Sequence, residues 1–98
     1  MIAPKQLEDL FAKYSNDYNI DKELLKRIAN CESTLNINAI SNNYAGLFQF
    51  SEQTWINART TMGNDTNVEL RFNAEESIKT AAFLISRGRL NLWPNCNN

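Results

Sequence analysis

The most informative absence from this chain of 98 residues is histidine, which does not occur at all. Without histidine, neither a Ser-His-Asp nor a Cys-His catalytic set can form, and zinc sites with histidine ligands are excluded as well. Only three glycines are present, and they form neither a GxGxxG pattern nor a Walker loop. Any proton chemistry in this protein therefore depends on carboxylates, and we expect neither a metal nor a cofactor.

An excess of charge of one sign is also missing, because ten Lys and Arg stand against eleven Asp and Glu. Proteins that bind nucleic acid normally carry a clear basic surplus, so we expect no nucleic-acid partner. The longest notable apolar run covers residues 81–85, far short of the roughly 18 residues that a membrane span needs. The first residues lack the apolar core of a signal peptide, so no signal peptide is expected in this chain.

The composition is that of a globular protein. Hydrophobic residues make up 43% of the chain and charged residues 21%, which is enough apolar material for a packed core. The length suits one small domain and leaves no room for a second core. We therefore predict a single domain over residues 1–98.

Apolar residues recur at helical spacing in four segments, which predicts an all-α fold. The segments begin near Pro4, Asp21, Ser51 and Asn73, where a proline or a capping side chain favours the start of a helix. The predicted buried faces are, in chain order, Leu7, Leu10, Phe11 and Tyr14; Leu24, Leu25, Ile28 and Ala29; Trp55, Ile56 and Ala58; and Ile78, Ala81, Ala82 and Ile85.

The segments between these helices are rich in polar residues. Residues 33–45 and 60–72 are predicted to be loops, and residues 46–50 a buried turn or extended piece. At the last helix, Asn73 and Glu76 resemble a capping box, and Gly88 is expected to end the helix after Arg87.

The two cysteines, Cys31 and Cys96, are too far apart for a CxxC metal or redox motif. Cys96 lies in a polar tail, where an unpaired exposed thiol would be reactive. We therefore expect a disulfide between them and, with it, an extracytoplasmic protein. The alternative is a pair of separate buried thiols in a cytosolic protein.

Two side chains stand out as candidates for chemistry. Glu32 is predicted at the C-terminal end of the second helix, where the helix dipole opposes a negative charge and raises the carboxyl pKa, as a general acid requires. Gln49 is a single polar residue within an apolar segment, and if buried it needs a hydrogen-bond partner in the protein or in a ligand. The alternatives are a solvated surface glutamate and a glutamine that faces water.

Three segments together resemble a known family. Residues 32–41 read ESTLNINAIS, residues 46–50 read GLFQF, and Thr54-Trp55 follows. This order and spacing resembles the lysozyme-like lytic transglycosylase (SLT) family, whose flanking helices are similar to residues 18–29 and 70–82. The ends around the two cysteines resemble the disulfide-bearing, resuscitation-factor-like branch. The resemblance is strongest over residues 18–96 and implies a small lysozyme-like fold, all-α with little or no sheet.

The resemblance also implies a role for individual residues. Glu32 would be the single acid/base, Ser41 would hydrogen-bond near the carboxyl or the acetamido group of a sugar, and Gln49 would hold the substrate. Tyr44 and Phe48 would form the walls of the groove. The other nearby aromatic residues are expected in the core, namely Phe50, Trp55 and Phe72.

The activity implied is that of an enzyme that cleaves peptidoglycan glycan strands between N-acetylmuramic acid and N-acetylglucosamine, leaving 1,6-anhydro ends. Glycosidases that hydrolyse normally need two carboxylates. The candidates for a second one, Glu52 and Asp65, are more readily explained as a first-turn charge and a turn former. The alternatives are a lysozyme-type muramidase, a non-catalytic glycan-binding domain and a disulfide-stapled helical interaction module. We expect a secreted, cell-wall or virion-associated protein, alone or within a larger cell-wall, secretion or phage-tail assembly.

Overall fold

The computed structural model describes residues 2–96, and helices account for most of this range. Its elements are α1 (Pro4–Asp17), α2 (Lys22–Ser33), strand β1 (Ile40–Ser41), strand β2 (Tyr44–Ala45), α3 (Glu52–Met62), a first 3-10 turn (Val68–Phe72), α4 (Ala74–Ser86) and a second 3-10 turn (Leu90–Leu92). The two strands form a single antiparallel hairpin. The predicted all-α fold with little sheet is thereby confirmed. The predicted domain limits at residues 1 and 98 lie outside the described residues.

Three helices begin at the predicted capping side chains. Asp21 Oδ1 accepts from the backbone N–H of Glu23 at 2.9 Å, and Asn73 Oδ1 accepts from that of Glu76 at 2.9 Å. Ser51 Oγ caps α3 in the same way, accepting from the N–H of Thr54 at 3.2 Å. Each contact satisfies one of the amide donors that a helix start leaves without an intrahelical partner.

The ends of the elements differ in detail from the prediction. Helix α3 continues to Met62, three residues into the segment expected to be a loop, and the first 3-10 turn occupies the end of that segment. The predicted capping box at α4 is only half formed, because the carboxylate of Glu76 pairs with Arg59 instead of returning to the helix start. Gly88 follows α4 with φ of 76°, as expected for a residue that ends a helix.

The hydrophobic core lies where α1 packs against α2 and α4. The predicted stripes supply most of it, but Ile56 is 37% exposed, because Trp55 and Ala58 define the buried side of α3. Phe72 is half-buried and therefore not a full core residue as predicted. The principal core residues are Leu7, Phe11, Leu25, Ile28, Leu47, Phe48, Phe50, Trp55, Ile78, Ala81 and Trp93.

A buried arginine joins α3 to α4. The Arg59 side chain is only 2% exposed; its Nη2 lies 2.7 Å from Glu76 Oε1, and its Nη1 donates to Thr80 Oγ1 at 3.1 Å. Its Nε donates to the carbonyl of Asp65 at 2.8 Å, and its guanidinium carbon lies 5.1 Å from the centre of the Trp55 ring. Burying a charge is tolerable only with such partners. Helical periodicity does not reveal this network.

A second polar contact joins α1 to α4. The Tyr14 hydroxyl donates to Glu75 Oε2 at 2.7 Å. Burial, assisted by this carboxylate acceptor, raises the pKa of Tyr14. None of the helices within residues 2–96 combines the length and apolar character needed to cross a membrane.

Candidate active site

A cleft of about 340 Å³ opens beside the C-terminal end of α2. Four of the predicted site residues line it, although they come from three separate segments of the chain. The opposite wall comes from the C-terminal segment. The lining residues are Glu32, Ser41, Tyr44, Gln49, Leu92, Trp93, Pro94 and Asn95.

Glu32 lies in the last turn of α2 and is half-buried. The helix ends immediately after it, because Thr34 takes a left-handed conformation with φ of 53°. The neighbouring Ser33 is buried, and its hydroxyl donates to the carbonyl of Ala29 at 3.0 Å. This serine therefore stabilises the end of the helix and does not face the cleft. Within residues 2–96, the Glu32 carboxylate has no hydrogen-bond or ion-pair partner. This leaves it available to a ligand.

Burial raises the pKa of Glu32. Removing a carboxyl group from water disfavours its charged form, and no neighbouring cation in the described residues offsets this cost. The position of Glu32 at a helix end predicts a raised pKa through the helix dipole, whereas the cause in the structure is desolvation. The protonated acid is therefore available at higher pH than for an ordinary glutamate, which suits a general acid.

The hairpin places Ser41 and Tyr44 on one side of the cleft. These two residues are partners in the antiparallel register, joined by the turn Asn42-Asn43. Directly opposed residues of an antiparallel pair present their side chains on the same face. Both residues are exposed, so their hydroxyl groups can reach a ligand.

Gln49 is half-buried, and its amide has a fixed orientation. Nε2 donates to the carbonyls of Gly46 at 2.8 Å and Ala39 at 3.1 Å. Because both partners accept only, the nitrogen must be on this side. Within the described residues, Oε1 accepts no hydrogen bond, and it remains available as an acceptor. The sequence left open whether Gln49 binds a partner or faces water. In the structure, the nitrogen of its amide binds the protein, and the oxygen remains available to a ligand in the cleft that Gln49 lines.

The segment that carries Gln49 rests on the first 3-10 turn. Gly46 has φ of 86°, and a Cβ atom at this position would overlap the carbonyl oxygen of Arg71. Only glycine allows this close approach of two backbones. The Arg71 side chain in turn donates from Nη1 to the carbonyl of Phe50 at 2.9 Å and from Nε to that of Val68 at 2.9 Å. Both ends of the segment are therefore held against this turn.

Phe48 does not form a wall of the cleft, contrary to the prediction. Its side chain is completely buried in the core. Trp93 Nε1 donates to the Phe48 carbonyl at 3.0 Å, and the two ring centres are 6.0 Å apart. Phe48 thus supports the cleft from below by holding Trp93.

The C-terminal wall, Leu92–Asn95, was not predicted as part of the site. Cys31 and Cys96 form a disulfide with a Cα–Cα distance of 5.7 Å, which brings this segment beside Glu32. The expected disulfide is confirmed. The signal was available in the sequence, since a cysteine next to the candidate acid was expected to bond to a cysteine three residues after a tryptophan.

Neither candidate for a second carboxylate lines this cleft. Glu52 is 66% exposed, lies 3.8 Å from Arg71 Nη2, and lines a different cleft of about 440 Å³ that shares only Tyr44 with the first. Asp65 Oδ1 accepts from the N–H of Asn67 at 2.9 Å, as a turn former does. Among residues 2–96, Glu32 is the one carboxylate that lines the cleft of 340 Å³. Over the same range, no three potential metal ligands of the His, Cys, Asp or Glu type come together.

A small helical fold with a carboxylate at a helix end, facing a cleft beside a short hairpin, defines a protein of the lysozyme-like class. The model of the family described as "Transglycosylase SLT domain" matches residues 9–90, and the chain belongs to this family. Its general function is glycan cleavage of the lytic transglycosylase or lysozyme-like type, with peptidoglycan as substrate. The searches of curated proteins and of solved structures found no match. Membership of the resuscitation-factor-like branch stays a prediction.

Proposed function

We propose that this protein is a lytic transglycosylase in which Glu32 acts in turn as acid and base. The observation that carries the proposal is that Glu32 is the one carboxylate among the described residues lining the cleft. It has no partner there, and burial raises its pKa. A hydrolase normally needs a second carboxylate, as nucleophile or to activate water. A reaction that consumes no water has no such need.

In the first step, the protonated Glu32 donates its proton to the glycosidic oxygen between N-acetylmuramic acid and N-acetylglucosamine. The bond between C1 of the muramic sugar and this oxygen breaks, and the glucosamine end leaves as an alcohol. Half-burial raises the pKa of Glu32 and so favours the acid form that this step needs. Glu32 is then an anion facing the electron-poor C1.

In the second step, the C6 hydroxyl of the same muramic sugar attacks C1. Its proton passes to the Glu32 carboxylate, so the 1,6-anhydro ring closes and the acid is restored. Atoms balance without water, and one side chain serves both steps. An intramolecular nucleophile also avoids the entropic cost of bringing a second molecule to the reaction centre.

The other residues that line the cleft support binding of the strand. Gln49 Oε1, which accepts no hydrogen bond from residues 2–96, can accept one from a hydroxyl or acetamido N–H of the sugar. Ser41 offers a hydroxyl close to the same sugar, and the exposed ring of Tyr44 provides a stacking surface. Because peptidoglycan lies outside the cytoplasmic membrane, we place the protein's action there. The disulfide is consistent with that compartment.

The decisive experiment is mass analysis of the products released from purified peptidoglycan. Anhydro ends are lighter than reducing ends by one water. Glu32→Gln should retain binding to glycan strands and lose at least about 100-fold in cleavage rate, the lower range for removal of a general acid. The matched control is Glu52→Gln, which removes an exposed carboxylate outside the cleft and should cleave like wild type.

Each of the other outcomes identifies a different function. Reducing ends alone would identify a muramidase and contradict the transglycosylase mechanism. Equal cleavage by wild type and Glu32→Gln would show that Glu32 is not the acid. Binding of strands without cleavage by the wild-type protein would identify a glycan-binding domain.

A further inference from the structure

A second cleft with a positive lining adjoins the catalytic cleft. It has a volume of about 320 Å³, and Leu92 lines both clefts. The catalytic cleft and this one therefore share a wall residue in the second 3-10 turn. Its lining residues come from α3, from the end of α4 and from the segment beyond, namely Thr54, Asn57, Ala58, Thr61, Phe83, Leu84, Arg87, Arg89 and Leu92.

The charge of this cleft is uncompensated. Arg87 and Arg89 are both exposed, and within residues 2–96 neither forms an ion pair; no acidic side chain lines the cleft. Arg87 lies over the ring of Phe83, with its guanidinium carbon 5.3 Å from the ring centre, which limits its movement. The protein as a whole has a formal charge of −1. Two arginines without an ion pair among the described residues therefore give this cleft a local excess of positive charge.

The remaining polar groups add donors to the site. Asn57 Oδ1 accepts from Gln53 Nε2 at 2.9 Å, which leaves Asn57 Nδ2 without a partner in the described residues. Guanidinium and amide donors together are suited to carboxylates, which accept only. Ala58, Phe83 and Leu84 provide apolar surface beside these donors. The cleft is therefore suited to a ligand with carboxylates on a partly aliphatic frame.

We propose that this second cleft binds the peptide stem of peptidoglycan, through carboxylates that contact Arg87 and Arg89. This inference rests on the proposed function, because it needs a strand in the catalytic cleft. Stems are attached to the lactyl group of the muramic sugar, which is the sugar at the bond to be cleaved. A strand bound at Glu32 thus carries a stem close to Leu92, and stem carboxylates and alanine methyl groups match the donors and the apolar surface.

The test compares two substrates, intact strands and the same strands stripped of stems by an amidase. For each, kcat/KM is measured for wild type, for the double variant Arg87→Gln with Arg89→Gln, and for the control Arg27→Gln. Arg27 is exposed on α2 and lines none of the clefts described here. We expect the wild type and the control to prefer stem-bearing strands by about tenfold, and the double variant to lose most of this preference. High salt should also reduce the preference.

Several results would overturn the inference. One is a wild-type protein with no preference, and another is a double variant that keeps the preference. A third is an advantage of the wild type over the double variant that appears only on walls carrying a phosphate polymer, since the arginines would then bind phosphate. Failure of the proposed function looks different, because the wild type then releases no anhydro ends from either substrate.

A binding measurement tests the stem site independently of the proposed catalytic function. A stem tripeptide with free carboxylates is titrated into the Glu32→Gln protein, and the side-chain N–H signals of Arg87 and Arg89 are followed by NMR. Saturable shifts that disappear when the carboxylates are amidated support the stem site even without catalysis. Identical shifts with the amidated peptide would contradict it.

Discussion

The disulfide should account for a large part of the stability of this protein. Cys31 and Cys96 are separated by 65 positions, so the bond closes a loop covering two thirds of the chain. Replacing both cysteines, as Cys31→Ser with Cys96→Ser, removes the link without leaving a free thiol. In the folded protein the tail keeps other contacts, because Trp93 still packs on Phe48 and donates to its carbonyl. The main loss is thus expected in the constraint on the unfolded chain.

The size of the loss follows from the length of the loop. In the chain-entropy description, a cross-link over 65 positions restricts the unfolded state by about 4 kcal/mol at 25 °C. Domains of this length are stable by about 5 to 15 kcal/mol, so the variant should be close to marginal. The variant's unfolded chain is also more expanded, which should increase the denaturant dependence of its unfolding free energy.

Urea unfolding followed by tryptophan fluorescence measures both quantities. The wild type should lose about 4 kcal/mol when reduced, and the serine variant should be indifferent to reductant, which makes it the matched control. A loss below about 1 kcal/mol would refute the reasoning, because the loop would not be restricting the unfolded chain. A large loss with an unchanged denaturant dependence would instead place the effect in the folded state.

Two further predictions concern buried charge. Because burial raises the pKa of Glu32, the stability it contributes is fully present below the ordinary glutamate pKa and is lost as pH rises through the raised one. Glu32→Gln should therefore match the wild type at low pH and be more stable at neutral pH in urea unfolding, and a constant difference between the two would contradict the desolvation. Arg59→Met leaves Glu76 without its partner and should cost about 3 kcal/mol in unfolding free energy, whereas the exposed control Arg27→Met should be within about 0.5 kcal/mol of wild type. A loss below about 1 kcal/mol for Arg59→Met would show that the network does not stabilise the fold.

The helix starts could be predicted because they are local. Asp21, Ser51 and Asn73 cap amide groups two or three residues further along the chain, so the relevant physics lies within one turn. The Arg59 network could not be predicted in this way. Its partners come from residues 65, 76 and 80, and their meeting depends on how α3 packs against α4.

The candidate site also has a part that the sequence predicts and a part that depends on packing. The motif identified Glu32, Ser41, Tyr44 and Gln49, and the structure brings all four to one cleft. The direction of a side chain is a different matter, as Phe48 demonstrates. It lies between two residues of the motif, yet it points into the core, because burying the ring stabilises the fold more than exposing it at the cleft.

The sequence by itself determined the helical class and the catalytic candidate, and it favoured a bond between the two cysteines. These follow from periodicity, from the absence of histidine, from a motif and from the polar tail around Cys96, none of which needs coordinates. Only the tertiary structure decided that Leu92–Asn95 forms the opposite wall of the cleft, that desolvation raises the pKa of Glu32, and that Arg87 and Arg89, which form no ion pair within residues 2–96, line a neighbouring cleft. Burial and proximity are properties of segments that meet after packing, so they are absent from any local pattern in the chain.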